Sequence, residues 1–139
     1  MKQEHAIDLR KAAIIGCGFV GSATAFTLMQ SKLFSELVLI DVDKARAEGE
    51  AMDISHGMPF AAPMKIYAGS YDDIVDADII IITAGANQKP GETRLELVKK
   101  NVAIYKNIIP EIASRRCRGI LLIVSNPVDI LTLAASEII

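Results

Sequence analysis

The six residues Gly16-Cys17-Gly18-Phe19-Val20-Gly21 constrain this chain more than any other feature, because of what stands on either side of them. Before them runs KAAIIG (residues 11–16), short, apolar and closed by glycine, the pattern of a strand buried on both faces. After them residues 19–31 read as a helix, with Val20, Ala23, Ala25, Leu28 and Met29 roughly along one face. Glycines at this spacing are common by chance; glycines joining a strand to a helix are not. Gly16 permits a tight turn, Gly18 lets a ligand approach the backbone, and Gly21 lets helix and strand pack closely. The helix start turns unpaired N–H groups and the positive end of its dipole toward the turn, which suits a phosphate.

Residues 36–41 (ELVLID) form a second strand that ends in an acid, and Asp41 stands 20 residues beyond Gly21. A carboxylate there accepts hydrogen bonds from the ribose hydroxyls of a bound dinucleotide, which completes the fingerprint. Asp41 and Asp43 repel a 2′-phosphate and no arginine directly follows Asp41, so NAD is favoured over NADP. FAD uses the same fingerprint. The competing reading is a glycine-rich turn that holds no ligand.

The rest of the chain repeats the strand–helix alternation. Asp43 caps a helix over residues 44–56, which Gly57 and Pro59 stop. Residues 65–68 make a weaker third strand, and DIIIIT (78–83) a fourth whose β-branched run demands burial on both faces. A loop over 85–93 leads into a helix over 94–115, which Pro110 should kink or divide. GILLIV (119–124) is a fifth strand, Ser125-Asn126-Pro127 a turn, and 128–139 a further helix. Without a hairpin signal, this order means parallel βαβ units with right-handed crossovers. The expected fold is a Rossmann doubly wound α/β sheet of strand order 3-2-1-4-5. A full fold of this type adds a sixth strand, so residues 1–139 are expected to be one dinucleotide-binding domain, incomplete at its C-terminus.

Composition supports one domain. The net charge is -2 without a basic run, so neither nucleic acid nor an anionic membrane is an expected partner. The opening MKQEHAIDLRK is polar where a secretory signal needs an apolar core, so a cytoplasmic protein is expected. Cys17 and Cys117 read as two reduced, buried thiols. The chain is 51% hydrophobic. That implies a sheet buried on both faces, together with apolar surface meant for another domain or subunit.

In the 3-2-1-4-5 order, the loops after strands 1 and 4 face each other across a crevice at the carboxyl ends of the strands. The loop after strand 4 runs TAGANQKPGETR from Thr83 to Arg94. Gly85 and Gly91 supply hinges and Pro90 limits slack, as a closing lid requires. Arg94 brings a fixed positive charge to a carbonyl oxygen that becomes negative as hydride arrives. Asn126 stands on the same rim with a donor and an acceptor. Each has a plainer reading, a solvated arginine or an ordinary Asn-Pro turn, but three neighbouring strand ends hold them together.

These segments resemble the bacterial L-lactate dehydrogenases, a branch of the lactate/malate dehydrogenase family. The match runs from about residue 11 to 139 through IIGCGFVGSATAF, LVLIDVDKARAEGEAMDISHGMPF, ADIIIITAGANQKPGETRLELVKKN and VSNPVDILT. The resemblance implies NAD as cofactor and lactate or pyruvate as substrate, with Arg94 polarising the substrate carbonyl and Gln88 selecting the substrate. Malate relatives carry an arginine at the position of Gln88 to pair a second carboxylate; an uncharged Gln88 leaves that carboxylate unpaired, which is costly. The resemblance adds Asn126 and Asp129 to the substrate's surroundings. To the cofactor's it assigns Gly16, Gly18, Phe19, Val20, Gly21, Asp41, Arg46, Tyr71, Thr83, Ala84, Gly85, Ala86, Asn107, Val124, Ser125 and Asn126. It also implies a homo-oligomer, with the 44–56 helix bearing His56 at the subunit contact; a partly buried structural histidine is the preferred reading of His56.

Family members are about twice as long. Their second half carries a histidine acid/base, an aspartate that orients it and an arginine that grips the substrate carboxylate. This chain has only His5 and His56, neither placed for that role, so the substrate domain is expected to be absent and the chain to bind NAD without appreciable turnover. The alternatives are a stand-alone NAD-binding module with a regulatory or structural role, which has no use for Gln88, Arg94 and Asn126, and a malate dehydrogenase of the lactate-like type, against which Gln88 stands.

Overall fold

Five short apolar runs become five parallel strands in the computed structural model, which describes residues 10–61 and 63–139. They are β1 (Lys11–Ile15), β2 (Glu36–Ile40), β3 (Lys65–Ala68), β4 (Ile79–Ile82) and β5 (Ile120–Ile123). The sheet order is β3-β2-β1-β4-β5 and every neighbouring pair is parallel. Ile15 stands beside Ile40 on one side and Ile82 on the other, and Ile82 beside Ile123. The central strands therefore end level, and the loops that leave them emerge along one rim.

Among the described residues four helices cover the sheet: α1 (Phe19–Ser31), α2 (Lys44–His56), α3 (Arg94–Ser114) and α4 (Val128–Ile138). The two-residue period of the strands divides the core between its faces. Ala12, Ile14, Leu37, Leu39 and Ile81 pack with Ala25 and Met29 of α1 and Ala47, Ala51 and Ile54 of α2. Ala13, Ile15, Val38, Ile40, Ile80 and Ile82 pack with Tyr105, Ile109 and Ile112 of α3 and Leu131 of α4. Burial on both faces is why these strands read as continuous apolar runs. This is the Rossmann-type arrangement.

Several expectations need correction. Val20 and Ala23 do not share the buried face of α1; that face is Gly21, Ala25 and Met29. Close approach at Gly21 turns the line of every fourth residue toward the sheet. Phe19, Val20 and Ala23 instead line an open apolar hollow of about 490 Å³ with Thr24, Thr27 and Leu28. Pro110 does not divide α3, which runs unbroken through it. It lies on the exposed side, opposite the buried Ile108, Ile109 and Ile112, so the carbonyl it leaves unbonded within the helix can meet water. Cys17 is buried but Cys117 only half-buried, and His56 is exposed rather than partly buried, because it ends α2 beyond Ile54, the last residue of that helix in the core. His5 lies outside the described residues.

Candidate functional site

The rim is built around the glycine turn. Gly16 has φ +106°, and a Cβ there would lie 2.5 Å from the Ala84 nitrogen. A Cβ at Gly21 would lie 1.8 Å from the Gly16 carbonyl oxygen. The same oxygen accepts a 2.7 Å hydrogen bond from the Thr83 hydroxyl, and the Thr83 and Ala84 amides both donate to the Ile15 oxygen at 2.9 Å. Gly16, Gly21, Thr83 and Ala84 thus lock the end of β1 against the end of β4.

Gly18 differs from both. Its φ of -74° needs no glycine, and beyond its own neighbouring backbone no atom of the described residues lies within 4 Å of where its Cβ would be. Fold packing gives no reason for glycine here; a ligand that must reach the backbone does. Gly18 is the N-cap of α1, which has no side-chain cap and no acid in its first turn, so its leading N–H groups are open to an anion. Phe19 is 94% exposed and Val20 is exposed at the mouth of this cradle. The residues fit a dinucleotide pyrophosphate.

Asp41 follows β2, and its carboxylate is fixed from two sides. Oδ2 accepts from the Cys17 amide at 2.7 Å and Oδ1 from the Asp43 amide at 2.8 Å. A carboxylate has about four acceptor positions, so both oxygens can still receive ribose hydroxyls while the backbone holds them in place. Burial, reinforced by Asp41 and Glu50, pushes the Cys17 thiol up to about 12, so it stays protonated and unreactive. Asp43 caps α2 by accepting from the Arg46 amide at 3.2 Å, which leaves the Arg46 side chain exposed on the first turn. Tyr71 opens a short 3-10 turn (Tyr71–Ile74) after β3, half-buried against the core, with the Arg115 guanidinium 5.7 Å from its ring.

Across the crevice, the loop after β4 is folded on itself. The Gln88 amide donates to the Glu92 backbone oxygen at 2.8 Å. The Glu92 carboxylate accepts from the Lys89 amide at 2.8 Å and pairs with Lys100. That ion pair, with the Lys89 amide, holds the Glu92 carboxyl below the usual carboxylate range. Thr93 then starts α3 with a reciprocal cap: it accepts from the Glu96 amide at 3.2 Å, and the Glu96 carboxylate accepts from the Thr93 amide at 2.7 Å. The cap fixes Arg94 as the first helical residue, exposed and facing no ion-pair partner among the described residues.

Beside this loop stands the turn after β5. The Ser125 hydroxyl donates to the Ala84 oxygen at 2.6 Å, and Asn126 and Asp129 are exposed, with a cis peptide between Asn126 and Pro127. The structure therefore gathers Gly16 to Gly21, Asp41, Thr83 to Ala86, and Val124 to Asn126 along one rim. Gln88 and Arg94 belong to the segment that leaves this rim after β4 and enters α3. Asn107 stands apart, exposed on α3 about 20 Å along the helix from Arg94.

Sequence reasoning missed Asn101. It is 1% exposed; its Oδ1 accepts from the Ala86 amide at 2.8 Å and its Nδ2 donates to the Asn126 backbone oxygen at 2.7 Å. A signal existed: Asn101 falls on the same helical line as Tyr105, Ile108 and Ile112, a polar residue on an otherwise apolar stripe. Tyr105, one turn on, buries its hydroxyl beside Ser125 without a hydrogen bond of normal geometry, and that burial pushes its pKa up.

Comparison with known proteins fits this geometry. The family described as lactate/malate dehydrogenase, NAD binding domain, matches residues 10–138. An L-lactate dehydrogenase of Priestia megaterium is 57% identical over 131 residues, which is 94% of this chain and 41% of that protein. One of Acetivibrio thermocellus is 58% identical over 124 residues, 89% of this chain and 39% of that protein. Among solved structures, a minor L-lactate dehydrogenase from Enterococcus mundtii in a ligand-bound form superposes with TM-score 0.89 at 44% identity, covering 94% of this chain and 42% of the other. A lactate dehydrogenase from a Medee basin deep-sea metagenome library gives 0.87 at 47% identity, covering 93% and 41%. The chain thus spans about two fifths of the length of the relatives it matches.

Proposed function

Because the chain belongs to the lactate/malate dehydrogenase family as its N-terminal NAD-binding domain, we propose that it is the cofactor-binding part of an L-lactate dehydrogenase that interconverts lactate and pyruvate. The observation that supports this reading is the rim itself, where the open Gly18 cradle and the backbone-fixed Asp41 carboxylate stand at the same strand ends from which the loop bearing Gln88 and Arg94 leaves β4.

The α1 N-terminus and the Gly16 to Gly21 backbone hold the pyrophosphate, and Asp41 receives the adenosine ribose hydroxyls. Arg46 and Tyr71 flank the adenosine end. Val124, Ser125 and Asn126, with Gly85 and Ala86, line the nicotinamide end, and only the family resemblance assigns Asn107 to the cofactor. Bound NADH supplies the hydride. Arg94 lays its charge over the substrate carbonyl oxygen and stabilises the negative charge that builds there, while Asn126 and Asp129 shape the substrate's side of the pocket. Gln88 offers an uncharged amide to the substrate's side chain; to do so it leaves the Glu92 carbonyl oxygen that it now binds.

Ketone reduction also needs a proton donor. No histidine among the described residues stands beside Arg94: His56 ends α2, which carries the chain from the rim back to the opposite edge of the sheet. By itself this chain therefore binds NAD without appreciable turnover, since a positioned acid contributes about 10²–10⁴-fold.

NADH titration followed by fluorescence tests the reading. Saturable binding is expected, weakened roughly ten- to hundredfold in Asp41→Ala, the equivalent of a charge-assisted hydrogen bond. Asp41→Asn keeps an acceptor for the Cys17 amide and separates loss of the ribose contact from loss of the loop. No saturable binding by the unsubstituted chain would sink the proposal, and pyruvate-dependent NADH oxidation by it would overturn the catalytic part.

A further inference from the structure

We propose that Asn101 is a positioning residue that sets the nicotinamide end of the crevice by pinning the loop after β4 to the turn after β5. The inference rests on the NAD-binding reading above and adds a residue that touches neither cofactor nor substrate.

The geometry makes the side chain a two-sided clasp. The acceptor end of the Asn101 amide holds the Ala86 N–H and the donor end holds the Asn126 carbonyl oxygen. Ala86 follows Gly85 in the loop after β4, and Asn126 carries its exposed side chain in the turn after β5. Gly85 lies between them: a Cβ there would stand in ordinary van der Waals contact with both amide atoms of Asn101 at 3.5 Å and the Ser125 Cβ at 3.6 Å. Ser125 supplies a parallel tie through its hydroxyl to the Ala84 oxygen. Two strand ends that diverge into loops are thus held at a fixed separation by one buried amide from α3 and one hydroxyl from β5's own turn.

Burial decides why this must be an amide. A buried side chain that leaves an N–H or C=O unpaired costs about 1–3 kcal/mol for each group. Asparagine alone offers one donor and one acceptor at this reach without a charge. Alanine frees both backbone groups and serine, whose single hydroxyl oxygen stops one bond short of the amide atoms, at least one of them; the cheapest relief is for the loop and the turn to part and take up water. The ADP half of the site, built on Gly16 to Gly21 and Asp41, does not depend on this clasp; it is tied to β4 through Thr83.

The test is a pair of titrations, with NADH and with ADP-ribose, which lacks the nicotinamide, on the unsubstituted chain, Asn101→Ala and Asn101→Ser. Both variants are expected to bind ADP-ribose within about twofold of the unsubstituted chain and NADH at least about tenfold more weakly. ADP-ribose binding also counts the folded molecules. Unchanged NADH affinity in both variants overturns the proposal. So does an equal loss of both ligands, which would make Asn101 a support of the whole fold. Failure of the unsubstituted chain to bind ADP-ribose would be a different result, since it removes the NAD-binding reading itself.

Discussion

A methyl group at Gly21 would stand 1.8 Å from a backbone oxygen, whereas one at Gly18 would meet nothing within 4 Å. The two glycines of one motif therefore answer to different demands, and substitution separates them. Gly21→Ala drives α1 away from the β1 turn and should cost about 1–3 kcal/mol or more, the range for over-packing. Gly18→Ala places alanine at a helix N-cap, a loss of about 1 kcal/mol or less, but fills the phosphate cradle. Thermal melts should show Gly18→Ala near the unsubstituted chain and Gly21→Ala well below it, while NADH titration should show Gly18→Ala weakened tenfold or more. A Gly18→Ala variant that binds NADH normally would mean the pyrophosphate does not lie there. The glycines and Asp41 were legible because the fingerprint encodes them at fixed offsets. Asn101 was not, since its two partners, Ala86 and Asn126, come within reach only after α3 docks on the sheet. The second duty of Asp41, holding the Cys17 and Asp43 amides, was hidden for the same reason.

At the scale of elements, the ends opposite the site are joined by a network that no local pattern announces. Lys11, the first residue of β1, places Nζ 2.7 Å from Asp76 and 3.6 Å from Glu36, and its own amide donates to Asp78 at 2.7 Å. Tyr67 of β3 donates to Glu36 at 2.8 Å. One lysine thus ties β1 to β2 and to the turn before β4. Burial pulls the Lys11 pKa down, but the Asp76 hydrogen bond, with Tyr67 and Glu36, outweighs it and leaves the amine above its ordinary value. The hydrogen bond from Lys11 holds the Asp76 carboxyl below its own. The lowered acid stabilises the fold above about pH 4 and loses that effect as pH falls through its folded value; the raised amine does so below about pH 10 and loses it above. Asp76 is largely exposed, so Lys11→Met should cost only about 1 kcal/mol. Urea unfolding should show that deficit between about pH 4 and pH 10 and a smaller one in more acidic solution. A deficit that persists undiminished in acid would assign it to lost packing of the lysine stem. The strands themselves were readable nearly to the residue, because burial on both faces leaves an uninterrupted apolar run between glycine and acid. Pro110 is the complementary case: a local rule predicts a kink or a division, and the burial of Ile108, Ile109 and Ile112 carries α3 through it undivided.

For the whole molecule, self-association is expected where the described residues expose the most apolar surface. β3 and β5 are the two edges of the sheet. β3 is blunted, since Lys65 stands exposed at its start with its amine 4.8 Å over the Tyr67 ring. β5 turns Ile120, 70% exposed, and Leu122, also exposed, to the α1–α2 face of the sheet, while α4 on the opposite face exposes Ile130 and Leu133. The outer side of α2, the face expected from the sequence to meet a partner, shows one large exposed apolar residue, Met52. At about 25 cal/mol per Å² of apolar area buried, the β5 and α4 surfaces gain more from association than the outer side of α2 does. Sedimentation over a concentration series should therefore show association that Ile120→Lys together with Leu133→Lys suppresses and Met52→Lys does not. Ile120 opens β5 at the end away from the rim, so the lysine pair should leave NADH affinity within about twofold, well short of the tenfold step that a lost site contact produces. Suppression by Met52→Lys alone would instead assign self-association to α2, where the helix, β3 and His56 border a hollow of about 400 Å³.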